Sequence, residues 1–337
     1  MKRLLSISLR LLISGVLLVL LFREHDLIAE IIPRFQQMLT NWHWVLAGLG
    51  FVLVSLWLTA VRWHILLRGF APELPFGTVM RAEMVSAFFN ISSLGVVGGD
   101  AYKIMSLSRR LPGKTMPVGV SLVLDHLTGL VAVALLFAAC IYAKSSSWPQ
   151  FGPNVRVLVT GYSMYVGGAL VGLLISWFSL RPDILAWGRR TFPRTFGLPM
   201  FEGVIGRMAK MHGVFTLLWR RAFASTFVSI GMHAAFFMGF YCGLRAVGGQ
   251  APVLDVLTAM PIVDAAASLP LSVSGLGVRE RTFEALLAGI AGVPDAVGIS
   301  ASLAGWLFTL CWGLFGGLLF LRSRATDPAP REVVAAS

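Results

Sequence analysis

The feature that most constrains this chain is a series of apolar stretches, each about the 20 residues needed to cross a bilayer as a helix. Only 13% of the 337 residues are charged, whereas 56% are hydrophobic. A soluble domain carries about 25% charged residues, so this chain cannot cover a water-facing surface. The sequence therefore excludes a soluble enzyme and a disordered chain. It predicts an all-α polytopic membrane protein with six transmembrane helices, at residues 4–22, 44–61, 117–142, 157–178, 222–243 and 298–321.

Two further apolar segments, 82–103 and 254–292, are interrupted by Pro, Gly and Ser and contain charged residues. Irregular backbone at membrane depth is tolerated only where protein or a wet cavity covers it. We therefore predict two re-entrant hairpins, the first starting from the cytoplasmic side and the second from the outer side.

The charges of the chain are unequal, with 28 Lys and Arg against 16 Asp and Glu. Lys and Arg are retained on the cytoplasmic side of membrane proteins. With a cytoplasmic N-terminus, 21 of the 28 basic residues fall on the inner side of the six spans and seven on the outer side. This bias predicts an inner-membrane protein with both termini in the cytoplasm. Since no other feature supports nucleic-acid binding, none is expected.

The order of segments repeats, because each half reads span, span, broken segment, span. We expect a first repeat at 1–145, a second at 146–325 and a disordered tail at 326–337. The two broken segments start from opposite sides, so the repeats are inverted. Inverted repeats with paired interrupted segments are typical of transporters, whose binding site lies at the repeat interface.

Charged motifs end the two broken segments, and they resemble elements of a known family. Gly98 to Lys103 reads GGDAYK and Pro270 to Glu280 reads PLSVSGLGVRE. These runs resemble the G-[GE]-[DE]-x-x-R and P-x-S-x-x-G-x-G-x-R-E elements of the lysylphosphatidylglycerol synthase transmembrane-region family. A third element, E-R-x-x-D, is matched loosely at Asp125 and His126. The resemblance implies a stand-alone, flippase-like membrane module.

Ionisable groups inside the hydrocarbon are costly and indicate function. Arg279 is the main candidate for holding a lipid phosphate through bidentate hydrogen bonds, and the N–H groups of 274–277 are candidates for an anion nest. The alternative is that Arg279 and Glu280 pair with each other at the hairpin. The predicted substrate-binding residues are Asn90, Gly98, Gly99, Asp100, Lys103, Ser272, Ser274, Gly275, Gly277, Arg279 and Glu280.

Asp100 and Lys103 stand three residues apart, so a local helix pair is the alternative to a headgroup role. Asp125 and His126 are candidates for proton coupling, since histidine titrates near neutral pH. Their alternative is an Asp–His pair that satisfies backbone groups. Asp264 is a third coupling candidate, or the partner of an arginine.

The segment 181–221 mixes basic and aromatic residues, which suits a helix lying on the anionic inner leaflet. The alternative is the cytoplasmic charge bias alone.

No cofactor, metal site or catalytic motif is predicted. The expected function is a flippase for an anionic phospholipid or lipid-linked headgroup. The alternatives are a membrane-embedded headgroup transferase and a non-transporting scaffold for a partner synthase, and a homo-oligomer remains open.

Overall fold

The computed structural model describes residues 27–91, 95–179, 181–191, 199–269 and 272–326, and these contain helices and no strands. We number the α-helices of the described residues α1 to α11, and short 3-10 turns occupy Ser145–Gln150 and Val273–Gly275. The helices are α1 Leu27–Thr40, α2 Trp42–Leu67, α3 Phe76–Ile91, α4 Gly95–Arg110, α5 Thr115–Ala143, α6 Pro153–Ser179, α7 Pro182–Thr191, α8 Pro199–Ala246, α9 Val253–Ser268, α10 Val278–Ala291 and α11 Asp295–Thr326.

Five of the described helices are long and apolar enough to cross a membrane. They are α2, α5, α6, α8 and α11, and they coincide with five of the six predicted spans. The other predicted span, 4–22, lies outside the described residues. Large apolar side chains on all five helices point outward, as expected where the surrounding solvent is lipid; examples are Val54, Leu135, Val171, Phe223 and Leu318.

Proline stands at the beginning of many of these helices, where its fixed φ suits the first turn and its missing N–H has no helical acceptor to lose. It is the first residue of α6, α7 and α8, namely Pro153, Pro182 and Pro199. Pro75, Pro252 and Pro294 directly precede α3, α9 and α11. The positions of these prolines therefore set helix boundaries.

Both predicted broken segments fold as pairs of short helices. The first segment forms α3 and α4, of 16 residues each, and the second forms α9 and α10, of 16 and 14 residues. Each helix is shorter than the roughly 20 residues that a span requires. The two helices of each pair pack against each other, and α3 also contacts the turn Val273–Gly275 of the second pair.

One expectation about local structure is wrong. The fifth span was expected to begin at residue 222, after a segment that lies on the inner leaflet, but residues 199–221 belong to the same helix as the span, because α8 runs for 48 residues. A helix of that length extends for about 72 Å, whereas the hydrocarbon core is about 30 Å thick. The helix therefore continues well beyond the apolar window at His212–Ala246.

Helices α2 and α8 lie antiparallel at the centre of the fold. The Asn41 side chain donates to the carbonyl of Ala246 at 3.1 Å, and Ser225 donates to the carbonyl of Arg62 at 3.2 Å, so the start of α2 meets the end of α8. Glycine allows the close approach midway, because a Cβ at Gly239 would collide with Val52. Small residues at helix interfaces serve this purpose in membranes.

Helix contacts in one half of the chain have counterparts in the other half. Helix α5 contacts α8 and α9, and in the same way α11 contacts α2 and α3. Likewise α4 packs on α5 as α10 packs on α11. The order long helix, two short helices, long helix thus occurs twice, with similar neighbours each time.

Candidate functional site

Three ion pairs are buried among the helices of the described residues. A charged group taken from water into a membrane protein is costly unless it is paired and hydrogen-bonded. Each buried ion pair therefore costs desolvation free energy, which makes its residues candidates for a functional role. The pairs are Arg62 with Asp125, Glu83 with Lys103, and Arg279 with Glu280.

The pair between Arg62 and Asp125 joins α2 to α5. The guanidinium donates through Nε to Oδ1 at 2.7 Å and through Nη2 to Oδ2 at 2.6 Å, and its Nη1 donates to Ser229 on α8 at 3.2 Å. A planar guanidinium matches a carboxylate in this fork geometry. One side chain therefore connects three of the membrane-spanning helices.

This pair corrects two expectations. Arg62 was counted with the inner-side residues after the second span, but α2 continues to Leu67 and Arg62 lies buried within it. The apolar run Ile65–Leu66–Leu67 after Arg62 was the signal that could have shown this. Asp125 and His126 were weighed as a pair, yet Asp125 contacts Arg62 and His126 contacts Asp100 at 2.8 Å.

Lys103 on α4 pairs with Glu83 on α3 at 2.6 Å. Its ammonium also lies 5.3 Å from the ring centroid of Trp63, within cation–π range. The alternative of a local pair between Asp100 and Lys103 is therefore wrong, since Asp100 pairs with His126. The first hairpin is held together by an ion pair between its own two helices, and Glu83 is a site residue that the sequence did not reveal.

Gly98 and Gly99 lie in the first turns of α4, not in a loop. A Cβ at Gly99 would collide with the side chains of Ser86 and Asn90 on α3. The Ser86 hydroxyl and the Asn90 carbonyl oxygen are buried without a hydrogen-bond partner in the described residues. The glycine thus brings backbone close to two polar groups that are not satisfied by protein.

The pair between Asp100 and His126 is more accessible than the others, with His126 46% and Asp100 25% exposed at the side chain. It connects α4 of the first hairpin to the span α5. Of the proton-coupling candidates, His126 is therefore accessible and pairs with Asp100, a substrate-binding candidate, whereas Asp125 is fully buried and paired with Arg62.

The turn of the second hairpin uses left-handed backbone. Ser274 has φ 54°, and Gly275 and Gly277 have φ 73° and 85°. The Gly277 N–H donates to Glu280 at 2.6 Å, and the Leu276 N–H donates to the carbonyl of Val273. Two of the four N–H groups expected to form an anion nest are therefore already engaged within the turn.

Arg279 lies at the start of α10 and is 8% exposed. Its Nε donates to Glu280 at 3.1 Å, and its guanidinium carbon lies 5.7 Å from the ring centroid of Trp306 on α11. The Nη2 atom is buried without a hydrogen-bond partner. The sequence-based pair with Glu280 therefore forms, yet it leaves the Nη2 donor of the guanidinium without a hydrogen bond among the described residues.

Other polar groups surround Arg279. Asp264 on α9 is close enough to interact electrostatically with the guanidinium. Ser272 has a buried hydroxyl without a partner, and the Ser274 hydroxyl accepts from Trp306 at 3.3 Å. Ser302 on α11 is 3.4 Å from the Glu280 carboxylate and donates to it. This set can hold an anion at the free guanidinium edge, since the carboxylate of Glu280 fixes the orientation of Arg279.

The structure does not join all predicted site residues into one cluster. The polar contacts of Asp100 and Lys103 stay within the first half of the chain, and those of Arg279 and Glu280 within the second. Across 27–326, apart from the short gaps given above, no three His, Cys, Asp or Glu side chains group as metal ligands.

Comparison with known proteins gives two matches. The family described as lysylphosphatidylglycerol synthase TM region matches residues 7–334. A curated relative, a UPF0104 membrane protein of Pyrococcus horikoshii, is 23% identical over 304 residues, which cover 83% of this chain and 87% of the relative. The family match extends across both hairpins.

Proposed function

Because this chain belongs to the lysylphosphatidylglycerol synthase transmembrane-region family, we propose that it moves an anionic phospholipid or lipid-linked headgroup between membrane leaflets. The chain is a multi-pass integral membrane protein with the two helical hairpins described above. The observation that carries the proposal is Arg279, a buried guanidinium whose Nη2 has no partner. A lipid phosphate is an oxyanion that a guanidinium binds through short, charge-assisted hydrogen bonds.

We further propose six spans, two re-entrant hairpins and an inverted repeat. The repeated helix order, the antiparallel packing of α2 on α8 and the matching contacts of α5 and α11 support this architecture. The contact between α3 and the turn Val273–Gly275 supports hairpin ends that meet inside the membrane. Rocking of one repeat against the other would then expose the headgroup site to each leaflet in turn.

In the proposed mechanism, the phosphate binds at the free edge of Arg279 while the acyl chains stay in the bilayer. Glu280 holds the guanidinium in place, and Trp306 packs against it. Asp264 lies beside the same guanidinium and would compete with the phosphate, which favours release. The exposed pair of Asp100 with His126 is the proposed site of any proton coupling.

The proposal predicts that purified protein in vesicles equilibrates a headgroup-labelled phosphatidylglycerol between leaflets. The measurement is the fraction of label that a membrane-impermeant quencher reaches with time. Vesicles without protein provide the baseline. A rate equal to that baseline would contradict the proposal. Covalently altered lipid after addition of an activated donor would instead favour the transferase, and an effect only beside a partner synthase would favour the scaffold.

Orientation is a separate prediction, with both termini in the cytoplasm of an inner membrane. In a Cys311→Ser background, a cysteine replacing Ser146 should react with an impermeant maleimide added to whole cells. A cysteine replacing Arg190 on α7 should react only after permeabilisation, because 181–221 is proposed to face the anionic inner leaflet. Residues 146 and 190 are both exposed, so a difference in labelling would reflect the side of the membrane and not burial of the side chain. The reverse labelling pattern would overturn this topology.

A further inference from the structure

An apolar groove of about 780 Å³ lies between α5 and α6. These two helices follow each other in the chain, and both are long and apolar enough to span a membrane. The two helices form opposite walls of the groove. Its lining consists largely of Val131, Ala134, Leu135, Phe137, Ala138 and Ile141 of α5, with Val166, Gly167 and Leu170 of α6 opposite.

The groove is long and has polar side chains at one end, and Ser163 of α6 is a further polar residue in its lining. From Val131 to Ser145 it follows 14 residues of the chain, which is about 21 Å along a helix. Tyr142, Ser145 and Trp148 line the end nearest the connection between the two helices. Aromatic residues with a polar edge favour the boundary between hydrocarbon and headgroups. The shape and polarity therefore match an acyl chain whose ester end lies at Trp148.

A second, smaller groove of about 260 Å³ continues the first along α5. It lies between α5 and α8, is lined by Leu124, Thr128, Phe223 and neighbouring residues, and shares Val131 with the first groove. Together the two grooves follow α5 from Leu124 to Ser145, about 32 Å at the helical rise. That length equals the hydrocarbon thickness of a bilayer, about 30 Å.

The larger groove also lies close to the proposed headgroup site. Phe137 in its wall makes an edge contact with Tyr162, at 4.7 Å between ring centroids. Phe137 and Tyr162 pack in one buried cluster with Val263 of α9, the residue that precedes Asp264 in the chain. A lipid with an acyl chain in the groove and its phosphate at Arg279 would therefore occupy two neighbouring sites.

We infer that this face of α5 is a binding track for an acyl chain of a membrane phospholipid. An apolar groove at membrane depth is reached only by lipid or by another helix, and an empty one forfeits its van der Waals contacts. The groove is linear and ends in interfacial side chains, which favours an acyl chain over a helix. The inference deepens the proposed function and rests on it for the identity of the transported lipid.

The test uses two neighbouring alanines on α5. Ala138 lines the groove, whereas Ala139 is equally exposed but does not. Each is replaced by Trp, and each protein is reconstituted in phosphatidylcholine vesicles that contain phosphatidylglycerol with a diazirine on one acyl chain. In the wild type, photolabelled peptides should map to residues 131–170. Labelling there should fall about tenfold in Ala138→Trp, equivalent to about 1.4 kcal/mol, and should be unchanged in Ala139→Trp.

A second pair of substitutions, at two glycines of α6, provides the same test if the introduced Trp side chain disturbs folding. Gly167 lines the groove and Gly168 does not, and a Cβ added at either position meets nothing within 4 Å. Gly167→Leu should reduce labelling, and Gly168→Leu should not. Labelling spread evenly over the exposed helices, or cross-links from the groove to a second copy of the chain, would overturn the inference.

This test separates the acyl track from the proposed function. Photolabelling at 131–170 is measured without translocation, so it should persist in an Arg279→Ala variant. Labelling confined to the groove together with a translocation rate at the protein-free baseline would sustain the track and reject the flippase. Translocation without labelling of the groove would support the flippase and reject the acyl-chain track.

Discussion

Replacing Arg279 by Ala should reduce the translocation of labelled phosphatidylglycerol to the rate of protein-free vesicles. The guanidinium has a buried Nη2 without a partner, and no other described cation occupies this turn in a comparable position. Hydrogen bonds between charged groups contribute about 1.5–3 kcal/mol each. The loss of one such hydrogen bond, at about 3 kcal/mol, would slow transport by about 100-fold.

This substitution should lower stability, because it leaves the buried Glu280 carboxylate without its ion-pair partner, but the turn should still form. Glu280 keeps its bonds from the Gly277 N–H at 2.6 Å and from Ser302 at 3.4 Å, so the hairpin turn retains its cap. Insertion and a monodisperse elution profile in detergent provide the check. Arg279→Lys should give an intermediate rate, because an ammonium keeps the charge but loses the planar fork.

Arg281 provides the matched control for Arg279. It stands on the same helix two residues later, is 55% exposed at the side chain and pairs with Glu284 at 3.0 Å. Arg281→Ala should therefore transport lipid at close to the wild-type rate. A folded Arg279→Ala protein with wild-type transport would refute the role assigned to Arg279.

Replacing Arg62 by Met should lower the free energy of unfolding by about 3–5 kcal/mol, because it leaves Asp125 as an unpaired buried charge. Asp125 is 0% exposed, and its carboxylate accepts two bonds from Arg62 at 2.6 and 2.7 Å. The same substitution frees Ser229 from its bond to Nη1. The contacts between α2, α5 and α8 should therefore loosen together. Thermal unfolding in detergent measures the effect.

Two comparisons test the cause. Arg181 and Asp183 form a similar pair, but their side chains are 48% and 79% exposed. Arg181→Met should change stability by less than about 1 kcal/mol, as exposed pairs do. The double change Arg62→Met with Asp125→Leu should recover much of the lost stability, since no buried charge then remains. Equal losses in the single and double variants would show that charge is not the reason.

Much of the fold could be predicted because it depends on short-range properties of the chain. Apolar length predicted α2, α5, α6, α8 and α11, and Pro, Gly and Ser within apolar sequence predicted the two hairpins. The ion pair between Arg279 and Glu280 could also be predicted from the sequence, because the two residues are neighbours that follow the same turn. The N-terminal part of α8 was not recognised as a continuation of the span, because its basic and aromatic residues were interpreted as a separate helix on the inner leaflet.

The candidate site was predicted less completely than the fold. Arg62 was assigned to the inner side, Lys103 to substrate binding with a local pair to Asp100 as the alternative, and Glu83 to no site. In the structure, Arg62 and Asp125 are 63 residues apart in sequence, and Lys103 reaches across the hairpin to Glu83. Residues that pair across different helices leave no repeating pattern in the sequence from which their contact could be predicted.

The sequence by itself determined a membrane protein with repeated spans and two interrupted segments, because apolar length and the positions of Pro and Gly act locally. Only the tertiary structure decided which charges pair, since a buried charge must find its partner across helices to offset desolvation. It also decided that Arg279 keeps one edge free. The separation of α5 from α6 that creates the acyl groove likewise depends on packing, which no single helix encodes.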